Sequence, residues 1–418
     1  MNAQRCRFCD TELEHSFADL GTSPLCQDHV TPERFDQAEA IYPLHARVCH
    51  RCFLVQVGTP VKPEQIFGGG DYAYFSSFSD SWLAHARAYT EEMSARFGLD
   101  AGTPVVEIAS NDGYLLQYFA QQGIPVLGIE PASNCAAAAR EKGIESVVAF
   151  FGRETARRVA EEHGRPRLLL GNNVLAHVPD INDFVGGMKI LLAPDGLITL
   201  EFPHLMRLVE QNQFDTIYHE HFSYLGFATT EAILAHHGLA IFDVEELATH
   251  GGSLRIYARH AENPALKITP AVDELREREA TAGMRTLDYY AAFDERVRET
   301  KRKLLSFLIE RKRASESIVG YGAPGKGNTL LNYCGIRTDF LDYTVDRSPH
   351  KQGHFLPGSR IPIFAPEKIF ETRPDWVLIL PWNLRDEIMK SMAGIREWGG
   401  RFVIPIPEVQ VFEERGNP

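Results

Sequence analysis

The sequence predicts an α/β protein with two successive parallel sheets and a small cysteine-bearing module in front of them. Three observations predict it. From Val105 onward, short apolar runs alternate with helical stretches, the pattern of a doubly wound parallel sheet. The same alternation begins again at Ser317, after a long charged helical interval. Four cysteines fall in two C-x-x-C pairs near the start of the chain. At 418 residues the chain has room for two or three domains.

The first segment, 1–66, is polar and carries both knuckles. Cys6 and Cys9 form one and Cys49 and Cys52 the other, a spacing that places four thiolates tetrahedrally around Zn²⁺. Arg5, Arg7, Arg47 and Arg51 flank the pairs and favour the thiolate forms. A redox dithiol is the competing reading. A closed four-thiolate site has a structural role, holding a segment with little core of its own. Cys26, His45 and His50 share this stretch, and His50 reads as a bystander inside the second knuckle. Cys135 and Cys334 read as ordinary buried thiols. Three glycines at 68–70 then lead into aromatics that include Tyr72 and Tyr74, a candidate lid or else a linker. A helix over 81–99 is predicted from Trp82, Ala86, Tyr89, Met93 and Phe97 at helical spacing.

The second domain, 67–264, contains predicted strands at 105–108, 126–129, 146–150, 168–170 and 197–202. Two more, at 240–244 and 254–258, are joined by His250-Gly251-Gly252-Ser253 and read as a hairpin added to the sheet edge, so that one strand runs antiparallel. Residues 265–312 form an amphipathic helical linker. The last domain, 313–418, repeats the α/β pattern with strands at 317–321, 342–346, 376–380 and 402–404.

Composition excludes several roles. Lys and Arg number 43 against 56 Asp and Glu, a formal charge of −13, and there is no basic tract. Such a chain is a poor binder of nucleic-acid backbones. No apolar run is long enough for a bilayer, and the N-terminus lacks the apolar stretch of a signal peptide. The expectation is a cytoplasmic protein without membrane or nucleic-acid partners, a monomer or weak homo-oligomer.

The first strand, 105–108, ends at Ala109-Ser110-Asn111-Asp112-Gly113, and ligands of open α/β sheets bind at that carboxyl edge. The second strand ends at Glu130-Pro131, where a carboxylate takes the ribose hydroxyls of an adenosine. This much suits NAD and S-adenosylmethionine equally. The loop discriminates, because a dinucleotide needs G-x-G-x-x-G, whereas this loop has only Gly113 among Glu107, Asn111 and Asp112. Carboxylates and amides suit the amino acid and sulfonium of S-adenosylmethionine and repel a pyrophosphate. Asn172 and Asn173, after the fourth strand, face the same edge, and Phe151 either stacks near the adenine or lies in the core. Tyr218-His219-Glu220-His221, with Tyr224 following, supplies a base, a carboxylate and hydroxyls; a His-rich surface loop is the alternative.

These residues together resemble the nucleotide-sugar C-methyltransferases that make branched deoxysugars. The resemblance covers the knuckles, Tyr72-x-Tyr74-x-Ser76-Ser77, Glu107-Ile108-x-x-Asn111-Asp112-Gly113, Gly128-x-Glu130-Pro131 and Asn173-x-x-x-His177-x-Pro179. It continues through Phe214-Asp215-x-Ile217-Tyr218-x-Glu220-His221, His250-Gly251-Gly252 and Gly320-Tyr321-Gly322-Ala323. It implies a zinc lobe, a class I methyltransferase lobe and a second Rossmann-like lobe that helps bind a nucleoside-diphosphate 4-keto sugar. By position, His221 is the base for the C3 proton, Tyr218 and Glu220 hold and tune it, and Tyr72 and His177 line the sugar pocket. Tyr74, Tyr224 and His250 are substrate contacts. The nucleotide is expected between lobes, with Lys326, Lys351 and Arg360 as candidate diphosphate contacts or ordinary surface charge. The acidic residue that often precedes the adenine-capping aromatic is absent from the run before Phe151. Two other readings remain open: an NAD-dependent sugar oxidoreductase using the second α/β lobe, and a non-enzymatic zinc ribbon.

Overall fold

A computed structural model describes residues 4–59, 61–67, 72 and 74–412. The glycines expected in the lid and residues 71 and 73 lie outside the described residues. The chain forms two compact units, and neither is continuous in sequence. The first comprises Met1–Glu14, Cys49–Met206 and Phe222–Leu287; the second comprises His15–Val48, Arg207–His221 and Asp288–Pro418.

In the first unit the strands are β1 (Val105–Ile108), β2 (Val126–Ile129), β3 (Ser146–Val147), β4 (Leu168–Asn172), β5 (Leu197–Pro203), β6 (Leu239–Leu247) and β7 (Ser253–His260). They form one sheet in the order β6-β7-β5-β4-β1-β2-β3. The pairs β5-β4, β4-β1, β1-β2 and β2-β3 are parallel; β7 runs antiparallel to both neighbours. The expected hairpin is therefore present, with its second strand inserted next to β5.

Both faces of this sheet are buried, as a parallel sheet requires. Val106, Ile108, Leu169, Ile198, Leu200 and Phe202 pack on one side, in the core that also holds Cys6, Cys49 and Leu54. Val105, Leu168, Leu170 and Leu197 point to the other side, against Ala86, Tyr89 and Met93 of the helix Asp80–Phe97. Ser79 starts that helix by accepting from Trp82 N, and Gly98 ends it at φ +63°. Strand β3 stops at Val147, short of the predicted 150, because Val148 and Phe150 turn out to solvent.

In the second unit the strands are β8 (Ile318–Tyr321), β9 (Thr344–Val345), β10 (Ile363–Phe364), β11 (Trp376–Ile379), β12 (Arg401–Ile404) and β13 (Gln410–Phe412). Their order is β10-β9-β8-β11-β12-β13, parallel except for the last strand. The unit also contains a hairpin of His15–Ser23 with Tyr42–Val48, which the polar reading of the first segment did not anticipate. Two register shifts, between Ser16 and Ala18 and between Asp19 and Thr22, break the alternation that would have revealed it. Phe17 of this hairpin stacks on Phe293, at 4.4 Å, at the start of the helix Phe293–Arg313. Among the described residues, no helix is long and apolar enough to cross a membrane.

A buried carboxylate fastens the edge of the first unit. Glu279 accepts from Phe227 N at 2.6 Å and Ala228 N at 2.9 Å, and its Oε1 lies 2.7 Å from His204 Nε2. It thus satisfies the otherwise unpaired N–H groups that open the helix Phe227–His236. Glu279→Ala is expected to destabilise the fold by about 3 kcal/mol, since it strips a buried helix start and an imidazole of their acceptor. Urea unfolding checks this, and an unchanged midpoint contradicts it.

Candidate active site

The two knuckles fold alike. Asp10 N donates to Cys6 O and Phe53 N to Cys49 O, each at 2.9 Å, and Asp10 and Phe53 take φ values of +58° and +59°. The turns aim four thiols at one point. Cys6 lies 3.5 Å from Cys52, and Cys9 lies 3.5 Å from both Cys49 and Cys52. Tetrahedral Zn–S bonds near 2.3 Å put sulfurs about 3.8 Å apart, so the cluster fits the ion. Gln56 Nε2 donates to Cys6 Sγ at 3.2 Å while its Oε1 accepts from Arg7 N, which orients a ligand from outside. All four positions are filled by cysteine, so the metal is structural. Exposed His50 lies outside the thiol cluster.

The carboxyl edge of the sheet gathers the residues expected to hold the cofactor. After β1 the chain turns through Ala109 at φ +58°, Asn111 at +50° and Gly113 at +73°. A left-handed residue with a side chain costs about 1 kcal/mol, so the loop follows a glycine-type path with only one glycine. Glu130 stabilises that path: its carboxylate accepts from Asn111 N at 2.9 Å and Ala132 N at 2.8 Å. Burial nonetheless holds the Glu130 carboxyl up, at about 6. Glu107 is fully buried, and burial together with the charges of Glu130 and Asp112 raises its carboxyl well above the usual range. Among the described residues, its two oxygens have no hydrogen-bond donor at good geometry, and Tyr114 eases the charge. Asp112 Oδ1 and Asn173 Oδ1 are likewise buried with no partner among the described residues. Buried polar atoms left unsatisfied at one sheet edge fit a polar ligand that supplies the missing bonds.

Groups not singled out from the sequence, Asn134 and Lys142 among them, help complete this edge. Asn111 accepts from Ser76 N at 2.9 Å and donates to Tyr74 O at 3.1 Å. Asn134 donates to Tyr72 O at 2.9 Å, and Lys142 reaches both Ser77 Oγ and Asp112 Oδ2. The aromatic segment is thereby tied to the donor loop. Phe67 packs edge-on against both Tyr72 and His177, at 5.5 and 6.0 Å, so one ring touches both expected pocket residues. Asn173 Nδ2 lies 3.1 Å from His250 Nε2. Fully buried Glu201 accepts from Thr249, the residue before His250, and from Arg255, and meets His85 Nε2 at 2.8 Å. Burial opposes ionisation of Glu201, but these bonds hold its carboxyl below the usual range. Asn172 ends β4 beside Asn173, and Pro131 follows Glu130. Phe151 packs edge-on to Phe184 at 5.3 Å, against the core. Tyr224 is buried on the strand Ser223–Tyr224, paired with Val55. Tyr74 is exposed.

The segment carrying the expected base belongs to the second unit. His221 Nδ1 lies 2.8 Å from Thr216 O, which holds the proton on Nδ1 and makes Nε2 the basic nitrogen. The Tyr218 ring lies over His221 with centroids 4.0 Å apart. Glu220 turns elsewhere: its Oε1 accepts from Cys26 Sγ at 3.3 Å, and burial pushes its carboxyl up to about 7. A backbone carbonyl therefore orients the imidazole. His219 is buried against Pro43 O and Tyr42.

The same segment is pinned by the second sheet. Trp382 Nε1 donates to Asp215 Oδ2 at 2.7 Å, and Thr329 Oγ1 donates to Ile217 O at 3.1 Å. Burial holds the Asp215 carboxyl up, at about 6, and draws the Lys326 ammonium down. Lys326 bonds Asn383 and lies 4.7 Å over the Trp382 ring. Lys351 donates to Ala323 O at 2.9 Å, and Arg360 pairs with Glu39 at 3.1 Å, so Arg360 is engaged structurally. An acidic residue follows the second glycine loop at strand spacing: Asp346, directly after β9. Its carboxylate accepts from Ala323 N and Ser348 N, so the loop itself occupies the group that a dinucleotide ribose needs.

Sheet order, antiparallel seventh strand and acidic donor edge define an S-adenosylmethionine-dependent methyltransferase of class I, with a zinc-binding segment at its N-terminus. Family profiles agree along the chain: a zinc binding domain at residues 6–67, a methyltransferase domain at 82–244 and a C-methyltransferase C-terminal domain at 248–407. The chain is 38% identical to C-methyltransferase NovU of Streptomyces niveus over 409 residues, 97% of this chain and 96% of that one. It therefore belongs to this family of C-methyltransferases. A ubiquinone biosynthesis O-methyltransferase of Rhodopseudomonas palustris strain BisA53 is 24% identical over 167 residues, 35% of this chain and 66% of that one. Among solved structures, the 1,6-didemethyltoxoflavin-N1-methyltransferase of Burkholderia thailandensis aligns with a TM-score of 0.36 and 18% identity, over 50% of this chain and 95% of that one. The fold assignment rests on the strand order.

Metal analysis of the purified protein should give about one zinc per chain, the stoichiometry of one four-thiolate site. Cys52→Ser should lower both zinc content and melting temperature. Full zinc retention in that variant contradicts the assignment.

Proposed function

We propose that the acceptor is a nucleoside-diphosphate 4-keto-deoxysugar, methylated at C3, with His221 as the base. The observation that carries this reading is the Thr216 carbonyl on His221 Nδ1, which readies Nε2 to take a proton. A C–H bond is not nucleophilic, but a ketone at C4 acidifies the proton on C3. His221 Nε2 removes that proton, and Tyr72 and His177 stabilise the enolate oxygen with polar hydrogens. Tyr218 holds the imidazole face, and Glu220 tunes the local charge. S-adenosylmethionine, when bound, would supply an electrophilic methyl on a sulfonium that leaves as the thioether; C3 inverts where the methyl enters on the face opposite the one that lost its proton. Glu130 takes the ribose hydroxyls of the donor, and Glu107, Asp112 and the Ala109–Gly113 turn hold its amino-acid end. Asn172 and Asn173 face the adenosine, His250 and Tyr224 help shape the acceptor side, and Lys326 is the candidate diphosphate contact. Nucleotide sugars and S-adenosylmethionine both point to a cytoplasmic enzyme.

Mass spectrometry with S-adenosylmethionine and a panel of thymidine- and guanosine-diphosphate 4-keto sugars is expected to show a product one methyl heavier. No methylation across the panel contradicts the acceptor class. Without donor, solvent deuterium should enter C3, and His221→Ala should slow this at least about 100-fold, the usual scale for loss of a general base. Exchange that persists in His221→Ala rules out this base.

The Glu130 carboxyl ionises near pH 6, above its usual range, so the anion that accepts both ribose hydroxyls forms only as pH rises through that value. Donor affinity should therefore increase as pH climbs through about 6 and level off above about 7. Glu130→Gln should weaken binding about tenfold, or 1.4 kcal/mol, and flatten this dependence. Calorimetry between pH 5 and about 8 reads both effects.

A further inference from the structure

Cys26 has no assigned part in the chemistry, yet its surroundings are specific. It is buried, and its thiol donates to Glu220 Oε1 at 3.3 Å. The first residue of the helix Gly325–Cys334 lies against it. A Cβ at Gly325 would come within 3.0 Å of Cys26 Sγ and 3.6 Å of Tyr218 Cζ. Cysteine, reacting segment and helix start therefore meet at a point where a side chain on the helix would press on the thiol. Asp215 and Ile217 are fixed by Trp382 and Thr329, so the segment is held on the near side of Glu220 as well.

We propose that Cys26 is a positioning residue for Glu220: its thiol, seated by Gly325, fixes the rotamer and the proton affinity of that carboxyl. The proposal rests on the reading of Tyr218–His221 as the reacting segment. Glu220 is almost fully buried and has Cys26 as its side-chain hydrogen-bond partner. A buried carboxyl without a donor stays neutral to higher pH and selects its rotamer less sharply. The titratable groups facing the pair are Glu220 and Lys351 for Cys26, and Cys26 for Glu220. Burial and the Glu220 charge hold the thiol well above its usual range, so it remains a protonated donor through neutral pH. A serine hydroxyl at the same place would donate in the same sense.

The test is an infrared pH titration of the full-length protein. The protonated-carboxyl band of Glu220 is identified by its loss in Glu220→Gln. In Cys26→Ala the midpoint of that band is expected to rise by about one pH unit, the size of one lost hydrogen bond to a carboxylate. Cys26→Ser should bring it back toward the wild-type value. Gly325→Ala pushes the thiol aside and should move the midpoint in the same direction as Cys26→Ala, which keeps the test open if the latter does not fold. A midpoint unmoved in a folded Cys26→Ala or Gly325→Ala variant overturns the proposal. The functional reading is tested separately: C3 deuterium exchange untouched by Glu220→Gln would remove Glu220 from the reaction while leaving the infrared result to judge Cys26.

Discussion

The carboxyl edge of the first sheet depends on the hydrogen bond from the β1 turn to the Glu130 carboxylate. Ala109 and Asn111 both sit in left-handed conformations that side chains disfavour. The bond from Asn111 N supplies local compensation, and the short bond from Ala109 N to Ile129 O adds to it. With the turn so held, the Asn111 side chain is free to work outward and grip the backbone at 74 and 76. One residue thus shapes the loop from its backbone and anchors the aromatic segment from its side chain. Replacing Glu130 therefore loosens the turn and, through Asn111, the aromatic segment.

The second unit applies the same logic to a different segment. Residues 214–221 contain little regular structure, only a short turn of helix at Phe214–Thr216. Their conformation is imposed by side chains of the second sheet and its helices, chiefly Trp382 and Thr329. The three buried carboxyls Glu130, Asp215 and Glu220 are each held above their usual range by burial. For each, ionisation disfavours the folded state; the cost is absent below the unfolded-state value and complete above the folded-state value. A protein that keeps such groups through neutral pH is trading stability for local chemistry.

The central sheet was legible because its strands carry continuous apolar runs, and those runs mark β1, β2, β4 and β5 closely. The four thiols were legible because knuckle spacing is rigid. The His15–Ser23 hairpin was hidden by its bulges, which disrupt the period of two. The partners of the candidate residues were hidden for another reason. Lys142, Asn134, Cys26 and Trp382 act across sequence separations that no local spacing encodes, Thr216 acts through its backbone oxygen, and each is an ordinary residue type where it stands. Pairing Glu220 with His221 followed from adjacency in sequence, but neighbouring side chains diverge. Cys26, almost 200 residues away, meets the carboxylate.

The zinc cluster has a consequence for how the chain reaches this state. Residues 15–48 leave the first unit between the two knuckles and belong to the second. The metal thus closes the neck of an excursion, joining Cys9 to Cys49 across roughly forty residues. Closing such a loop costs an unfolded chain entropy that grows only slowly with its length, and a metal clip removes most of that cost in one event. Zinc uptake is therefore expected to act on folding kinetics, committing the N-terminal hairpin to a short search. Chains made under zinc starvation would then accumulate with the hairpin untethered, exposing two strand edges that invite association between molecules.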